Sequence, residues 1–384
     1  MTKLWSEKTV GILGGGQLAR MTVEAAHCLT VPVVILENEA DSPAGQIAAR
    51  EFVGHWSNQE VLASFAHACD VITLENEFVD AGILHWLETQ GKPVYPSSHT
   101  LALIQDKAKQ KHTLYSAGLP VPPFTDFEYQ AEINAFAKQF GYPLILKACR
   151  NGYDGRGNFR INGETEIAEG CAKLGYPERE LLVEAFIPFI KELAVMVVRA
   201  QDGTTALYPV VETVQRDHIC HSVTAPAAIS PALAEEAQDI ARKAIETIKG
   251  VGVFGVEMFL TADDQILINE LAPRPHNSGH YTIEACQTSQ FENLLRVVLG
   301  LPVGSTALTA PAAMVNLLGA TNSPTNPKGV EAAYAAVPEL NLHLYGKKQS
   351  RVGRKMGHLT VLSPHATAET ALARAETAAA YIKI

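Results

Sequence analysis

Leu144-Ile145-Leu146-Lys147-Ala148-Cys149-Arg150-Asn151-Gly152-Tyr153-Asp154-Gly155-Arg156-Gly157 decides the fold. The apolar and short residues at its start predict a strand, and that strand delivers Lys147. The loop behind it carries Gly152, Gly155 and Gly157, interleaved with Tyr153, Asp154 and Arg156. Glycine removes side-chain bulk, so backbone N–H groups can close around an anion. A cation on a strand beside a mobile glycine loop suits a nucleoside triphosphate. Taken alone, such a loop is equally an ordinary surface turn, so its meaning depends on the rest of the chain.

The chain has 384 residues, room for two or three domains at roughly 100–200 residues each. Hydrophobic residues make up 47% and charged residues 19%, the balance of a globular protein with a sizeable core. No apolar run reaches about 18 residues, so no membrane span is expected. No signal peptide is expected from residues 1–7. The cysteines at 28, 69, 149, 171, 220 and 286 form no C-x-x-C pair, which disfavours a zinc site or redox dithiol. Scattered thiols suit a reducing cytoplasm. A net charge of −10 argues against nonspecific nucleic-acid binding and leaves room for a local basic pocket.

Residues 9–13, 31–36, 70–74 and 93–95 are short apolar runs. Between them, 14–16 turns into a helix with Leu18, Met21 and Ala25 on one face, and Ser57-Asn58-Gln59-Glu60 reads as a capping box. This rhythm predicts a parallel sheet with helices on both faces. A longer helix is expected from Ser97 to about Ser116, ending at Gly118-Leu119-Pro120. Residues 121–124 form a connector, and 124–185 a strand-helix-strand-helix unit. Strands are expected at 192–199 and 206–211, then an amphipathic helix at 231–249 stopped by Gly250. The segment from about Pro302 is mixed and ends in an alanine-rich helix.

Residues 254–261 and 265–270 read as a hairpin around Ala262-Asp263-Asp264-Gln265. One constant register then sets Thr261 against Ile266, Phe259 against Ile268, and Glu257 against Glu270. Facing carboxylates repel, and the pair makes sense around Mg²⁺ bridged to phosphates. The alternative is two solvated glutamates, although Phe254, Val256, Ile266 and Ile268 favour a buried hairpin. Leu181-Leu182-Val183-Glu184-Ala185-Phe186-Ile187 could offer its backbone to an adenine edge, with Glu192 for ribose hydroxyls. Read alone, that segment is more often core strand and linker. So too Asp106-Lys107-Ala108-Lys109-Gln110-Lys111 reads as a solvated helix face, and Arg351-Val352-Gly353-Arg354-Lys355 as a basic turn.

Taken in order, Lys107, Lys147, the 152–158 loop, residues 184–187, Glu192, Glu257 and Asn269-Glu270 resemble the ATP-grasp enzymes. More narrowly, the chain resembles the 5-(carboxyamino)imidazole ribonucleotide synthase family of purine biosynthesis. The words that carry this are Gly14-Gly15-Gly16-Gln17-Leu18, Thr73-Leu74-Glu75-Asn76-Glu77, the 152–157 loop, Asn269-Glu270-Leu271-Ala272-Pro273-Arg274-Pro275-His276-Asn277-Ser278-Gly279-His280, and Gly353-Arg354-Lys355-Met356-Gly357-His358. The resemblance implies an α/β ATP-grasp fold with three domains. These are an N-terminal parallel-sheet, Rossmann-like pre-ATP-grasp domain (1–112), a small α+β lid (113–185) and a C-terminal mixed α+β domain (186–384). It implies ATP- and bicarbonate-dependent carboxylation of 5-aminoimidazole ribonucleotide through carboxyphosphate, in a cytoplasmic homodimer.

By the same resemblance, Lys107, Lys147, Gly152, Tyr153, Asp154, Gly155, Arg156, Gly157, Asn158, Glu184, Ala185, Phe186, Ile187, Glu192, Gln215, Asn269 and Glu270 would bind ATP. Glu257 and Glu270 would hold Mg²⁺. Tyr153, Asp154, Arg156 and Lys355 would serve the chemistry between bicarbonate and the aminoimidazole. Gly16, Gln17, Glu75, Arg274, His276, Asn277, Lys347 and Arg354 would hold the ribonucleotide. His276 is equally a satisfied structural histidine. Two departures stand out: Thr213 and Gln215 replace the asparagine and histidine common in the family, and Ala272 stands where many ATP-grasp enzymes have a metal-binding asparagine. Glutamine still donates and accepts hydrogen bonds but carries no charge.

Three rivals remain: a formate-dependent glycinamide ribonucleotide transformylase, a non-catalytic nucleotide-binding regulator, and a nicotinamide-dependent dehydrogenase. The last rests on Gly14-x-Gly16-x-x-Ala19, followed by Glu37.

Overall fold

The computed structural model describes residues 3–152 and 157–384. Strands β1 (Val10–Leu13), β2 (Val33–Glu37), β3 (Arg50–Val53) and β4 (Val71–Leu74) form a parallel sheet in the order β3-β2-β1-β4. β1 and β4 are buried throughout, as continuous apolar runs under helices require. Helices α1 (Gln17–Cys28), α2 (Gln59–Ala68) and α3 (Ala81–Thr89) alternate with these strands. Two local details differ from the sequence expectation. Asn58, not Ser57, caps α2, accepting from the amides of Glu60 and Val61, while the Ser57 hydroxyl is bonded to His55 at 2.6 Å. The run at 93–95 makes only one bridge, Ile72 to Val94.

The helix expected from Ser97 to Ser116 is two helices, α4 (Ser98–Gln105) and α5 (Lys107–Ser116), parted at Asp106. Asp106 takes an extended conformation and its carboxylate accepts from the Lys109 amide at 3.2 Å. A short polar side chain that binds its own backbone favours a cap over a helix interior.

The second sheet is β5 (Phe124–Asp126), β6 (Leu144–Ala148), β7 (Asn158–Ile161) and β8 (Leu181–Ala185), antiparallel in the order β5-β8-β6-β7. Helices α6 (Gln130–Phe140) and α7 (Ile167–Leu174) supply Ile133, Phe136, Ile167 and Leu174 to its small core.

The largest sheet contains β9 (Phe189–Arg199), β10 (Thr205–Leu207), β11 (Val211–Arg216), β12 (Ile219–Ala225), β13 (Gly252–Thr261), β14 (Ile266–Ala272) and β15 (Ala312–Leu318). After β16 (Ser323–Pro324), β17 (Asn341–Leu344) and β18 (Gln349–Ser350) comes β19 (Lys355–Leu362). The order is β14-β13-β9-β11-β12-β15-β19-β17, with β10 beside β9 and β16 paired with β18. The expected strand at 206–211 is thus split between β10 and β11. Helix α8 (Pro231–Thr247) buries Ala237, Ile240 and Ala244, and Lys249, rather than Gly250, takes the positive φ of 52° at its end. After α9 (Thr282–Ala285) comes α10 (Gln290–Leu299), buried on nearly every face although it carries Gln290, Glu292, Asn293 and Arg296. Here it packs against α1 and against β9 and β13, joining the N-terminal domain to the large sheet. Helices α11 (Val330–Ala336) and α12 (Ala368–Tyr381) cover β15 and β19.

The β13–β14 hairpin corrects the expected register. Leu260 pairs with Ile266, Phe259 with Leu267 and Met258 with Ile268, whereas Glu257 pairs with Glu270. Thr261 therefore does not face Ile266, nor Phe259 Ile268. A β-bulge makes the difference. An unbroken ladder from the turn would set Asn269 against Glu257; the bulge makes Asn269 the extra residue and seats Glu270 there. Bulges re-aim side chains beside active sites in this way.

Candidate active site

The cleft between the second sheet and the hairpin is lined by Lys107, Asn151, Gly152, Glu270, Arg274 and His276, with Glu77 from beyond β4. Lys107 opens α5, and its amide donates to Cys149 O at 2.8 Å, so the break at Asp106 positions it. Its ammonium pairs with Glu270. Lys147, from β6, lies 2.8 Å from Glu184 Oε2 and donates to Asn269 Oδ1 at 3.2 Å. Glu184 is a buried counter-charge, because Lys111 approaches its other oxygen at 3.0 Å. The run read as solvated in the sequence thus sends Lys107 and Lys111 inward and only Lys109 outward.

Glu257 and Glu270 occupy opposite strands on one face. Burial, and then the Glu270 charge, push Glu257 upward. For Glu270 burial acts in the same direction, but the Lys107 ammonium outweighs it and holds Glu270 low. Glu257 is a carboxyl in need of a cation. Among the described residues no three His, Cys, Asp or Glu side chains gather as a metal cage. Mg²⁺ needs none, because it keeps waters and takes phosphate oxygens beside one or two carboxylates. The donor set fits Mg²⁺.

His276 faces this pair, with Nε2 3.4 Å from Glu257 Oε1 and Nδ1 2.6 Å from Ser278 Oγ. Burial, and then Arg274 and Lys355, push it down to about 3, so it is neutral. Arg274 grips Glu77 through two nitrogens, fastening the end of β14 to the N-terminal domain. Asn277 forms a reciprocal amide pair with Asn316 at 2.6 and 3.0 Å.

Glu192 lies on β9, paired across the sheet with Phe259 and Thr213. Burial raises it, against a hydrogen bond from Gln215. Gln215 follows a register shift in β11. Ala185 ends β8, the Phe186 ring lies under Arg160 at 4.6 Å, and Ile187 lines a neighbouring apolar cavity with Val121 and Pro123. Asn158 pairs with Lys147. The feet of the glycine loop meet: Gly157 has φ 92°, and a Cβ there would lie 3.0 Å from Gly152 Cα. Tyr153, Asp154, Gly155 and Arg156 lie outside the described residues.

At the N-terminus of α1, Glu75 accepts from the Gly16 and Ala19 amides, beside Gln17 at the first helical position. Glu37 accepts from Gly15 at 2.7 Å and Asn38 at 2.6 Å. Two carboxylates therefore occupy amides that a dinucleotide pyrophosphate would need, which removes the dehydrogenase reading. Opposite stand Lys347, Arg354 and Lys355. Lys347 donates to Lys355 O at 2.6 Å, and Arg354 donates to Gln349 O at 2.9 Å. Burial, and then Arg354, push Lys347 down to about 7. Crowded cations of this kind await an anion. Gly346 O accepts from Gln46 at 3.0 Å, and Tyr345 packs with Leu18, Met21 and Phe291, so the tail closes over the N-terminal domain. Sequence reasoning missed Glu77 and Lys111 as site residues and gave Glu37 only to the dinucleotide fingerprint. For the two acids the available signal was position just past a parallel strand, where such sheets place ligands; for Lys111 it was its four-residue spacing from Lys107.

Residues 7–105 match the ribonucleotide synthetase preATP-grasp domain, 112–291 the ATP-grasp domain, and 312–372 the phosphoribosylaminoimidazole carboxylase C-terminal domain. Fold and site therefore define an ATP-grasp enzyme. A phosphoribosylaminoimidazole carboxylase of Schizosaccharomyces pombe is 45% identical over 367 residues, 93% of this chain and 66% of that protein; the chain thus spans just under two thirds of that relative. The N5-carboxyaminoimidazole ribonucleotide synthase of Synechococcus elongatus is 41% identical over 375 residues, 97% of this chain and 94% of the relative. A crystal structure of N5-carboxyaminoimidazole synthase from Aspergillus clavatus, in complex with ADP and 5-aminoimidazole ribonucleotide, matches with a TM-score of 0.88 at 40% identity over 98% of both chains. The chain belongs to the N5-carboxyaminoimidazole ribonucleotide synthase family, as its motifs led us to expect. Among the described residues, no helix is long and apolar enough to cross a membrane.

Proposed function

We propose that the protein carboxylates the amine of 5-aminoimidazole ribonucleotide, using ATP and bicarbonate. The observation that carries this is the Glu257–Glu270 pair with Lys107 and Lys147 beside it, a constellation for phosphoryl transfer by positioning and charge neutralisation. Lys107 and Lys147 neutralise ATP phosphates, the glycine loop covers them, and Glu192 with Gln215 meets the ribose. The backbone of residues 184–187 serves the adenine. Glu257 and Glu270 would hold Mg²⁺, which when bound would neutralise phosphate charge. Lys107, paired with Glu270 in the free protein, would give up that partner for a phosphate oxygen of ATP.

A bicarbonate oxygen attacks the γ-phosphorus, and the bond to ADP breaks. Carboxyphosphate then yields CO₂ and phosphate. The ribonucleotide amine adds to CO₂ and loses one proton, which leaves the N-carboxyamino product. Lys355 with Tyr153, Asp154 and Arg156 gathers bicarbonate and amine. Lys347 and Arg354 would meet the ribonucleotide phosphate, while Gly16, Gln17, Glu75, Arg274, His276 and Asn277 would shape the rest of that pocket. The division into 1–112, 113–185 and 186–384, and a cytoplasmic homodimer, belong to the same proposal. The test supplies labelled bicarbonate or labelled formate with ATP and either 5-aminoimidazole ribonucleotide or glycinamide ribonucleotide. Label from bicarbonate in the aminoimidazole product is expected; label from formate in a glycinamide product refutes the proposal, and label in neither favours the regulator.

A further inference from the structure

Lys111 is a buried cation to which this reading of the ATP site gives no role. It lies one turn beyond Lys107 on α5, yet its side chain is only 3% exposed. Its partner Glu184, also 3% exposed, meets Lys111 through one oxygen at 3.0 Å and Lys147 through the other at 2.8 Å. Burial pushes Lys111 down to about 8 against the pull of Glu184, so it is mostly charged at neutral pH. Buried ion pairs contribute little net stability, because desolvation cancels most of the Coulomb gain, and apolar replacements are often neutral. Charge counting supplies another reason to keep this one. One carboxylate between two ammonium groups leaves the trio with a net positive charge. With Glu184 paired to Lys147 alone, that charge would vanish and Lys147 would be tied to its carboxylate. The trio also crosses a seam: Lys111 comes from α5, whose Leu114 packs in the core beneath the large sheet, whereas Glu184 and Lys147 sit on β8 and β6.

We propose that Lys111 is a positioning residue for ATP, sharing Glu184 so that Lys147 stays electropositive toward the phosphates. The inference rests on the reading that Lys147 meets ATP. The test is steady-state kinetics with ATP varied, on Lys111→Met, Lys111→Arg, Lys147→Met and the Lys111→Met/Glu184→Gln double variant. Lys111→Met is expected to raise KM for ATP at least tenfold with kcat within threefold, and to leave competitive inhibition by adenosine, which has no phosphate, unchanged. Lys111→Arg recovers most of the loss. The double variant recovers it too, because removing both charges restores the positive balance, and it remains informative if Lys111→Met alone fails to fold. An unchanged KM in Lys111→Met, or a double variant as impaired as the single one, overturns the inference. An unchanged KM in Lys147→Met overturns instead the reading on which it rests.

Discussion

At the scale of single residues, carboxylates and cations are set against each other so that ligands complete them. Glu270 is satisfied by Lys107, while Glu257 is left raised by burial and by its neighbour. Glu270→Gln should lower turnover on the order of 10³-fold, the scale of losing a transition-state charge contact, and make the residual rate insensitive to Mg²⁺; a rate within tenfold of the parent protein would remove Glu270 from the metal site. Lys347 titrates near 7 in the free protein, against about 10.4 for an unfolded lysine. Below 7 both states are charged and the burial penalty is full; rising pH relieves it, so this group's effect on stability becomes less unfavourable above 7. Ligand binding has the opposite sign, because phosphate pairs only with the ammonium. KM for the ribonucleotide should therefore rise above pH 7, and Lys347→Met should flatten that rise. These roles were partly legible in the sequence: Glu257 and Glu270 were readable from strand alternation, whereas the ion pairs of Glu184 with Lys111 and Lys147 leave no sequence trace.

At the scale of elements, two irregularities build the site. The bulge at Asn269 seats Glu270 and gives Lys147 an amide acceptor at 3.2 Å. Asn269→Ala should raise KM for ATP about ten- to a hundredfold, the equivalent of one hydrogen bond to a charged group; unchanged ATP kinetics would mean the bulge serves Glu270 alone. The turn before α1 is the second. Gly14 has φ 96°, and a Cβ there would meet Glu75 Cγ at 2.5 Å. Gly14→Ala should cost about 1–3 kcal/mol in urea unfolding and weaken ribonucleotide binding through Glu75. The hairpin was legible from period-two apolar residues, but one inserted residue leaves no periodic trace. Nor did the charged run around Asp106 reveal the break between α4 and α5, although aspartate as a cap offered the cue.

For the whole molecule, the proposed ligand sites lie where domains meet. The residues proposed for ATP span the second sheet and the large sheet, and the pocket proposed for the ribonucleotide is closed by a tail that returns from β17 to α1. Gln46→Ala removes the Gly346 contact and should raise KM for the ribonucleotide a few-fold while leaving KM for ATP unchanged; an equal effect on both would mean the tail supports the body as a unit. The domain order was legible because motifs spread from Gly14 to His358. Helix α10, which holds the N-terminal domain to the large sheet, was missed, although the Ser289 cap and the stripe Phe291, Leu294, Leu295 and Val298 offered the cue. All these contacts serve one claim, that ATP is spent on bicarbonate beside a waiting amine. The direct measurement is ADP release from MgATP with bicarbonate, followed with and without 5-aminoimidazole ribonucleotide. The account predicts strong stimulation by the ribonucleotide, with one bicarbonate carbon entering product for each ADP released. ADP release that is indifferent to the ribonucleotide would contradict it.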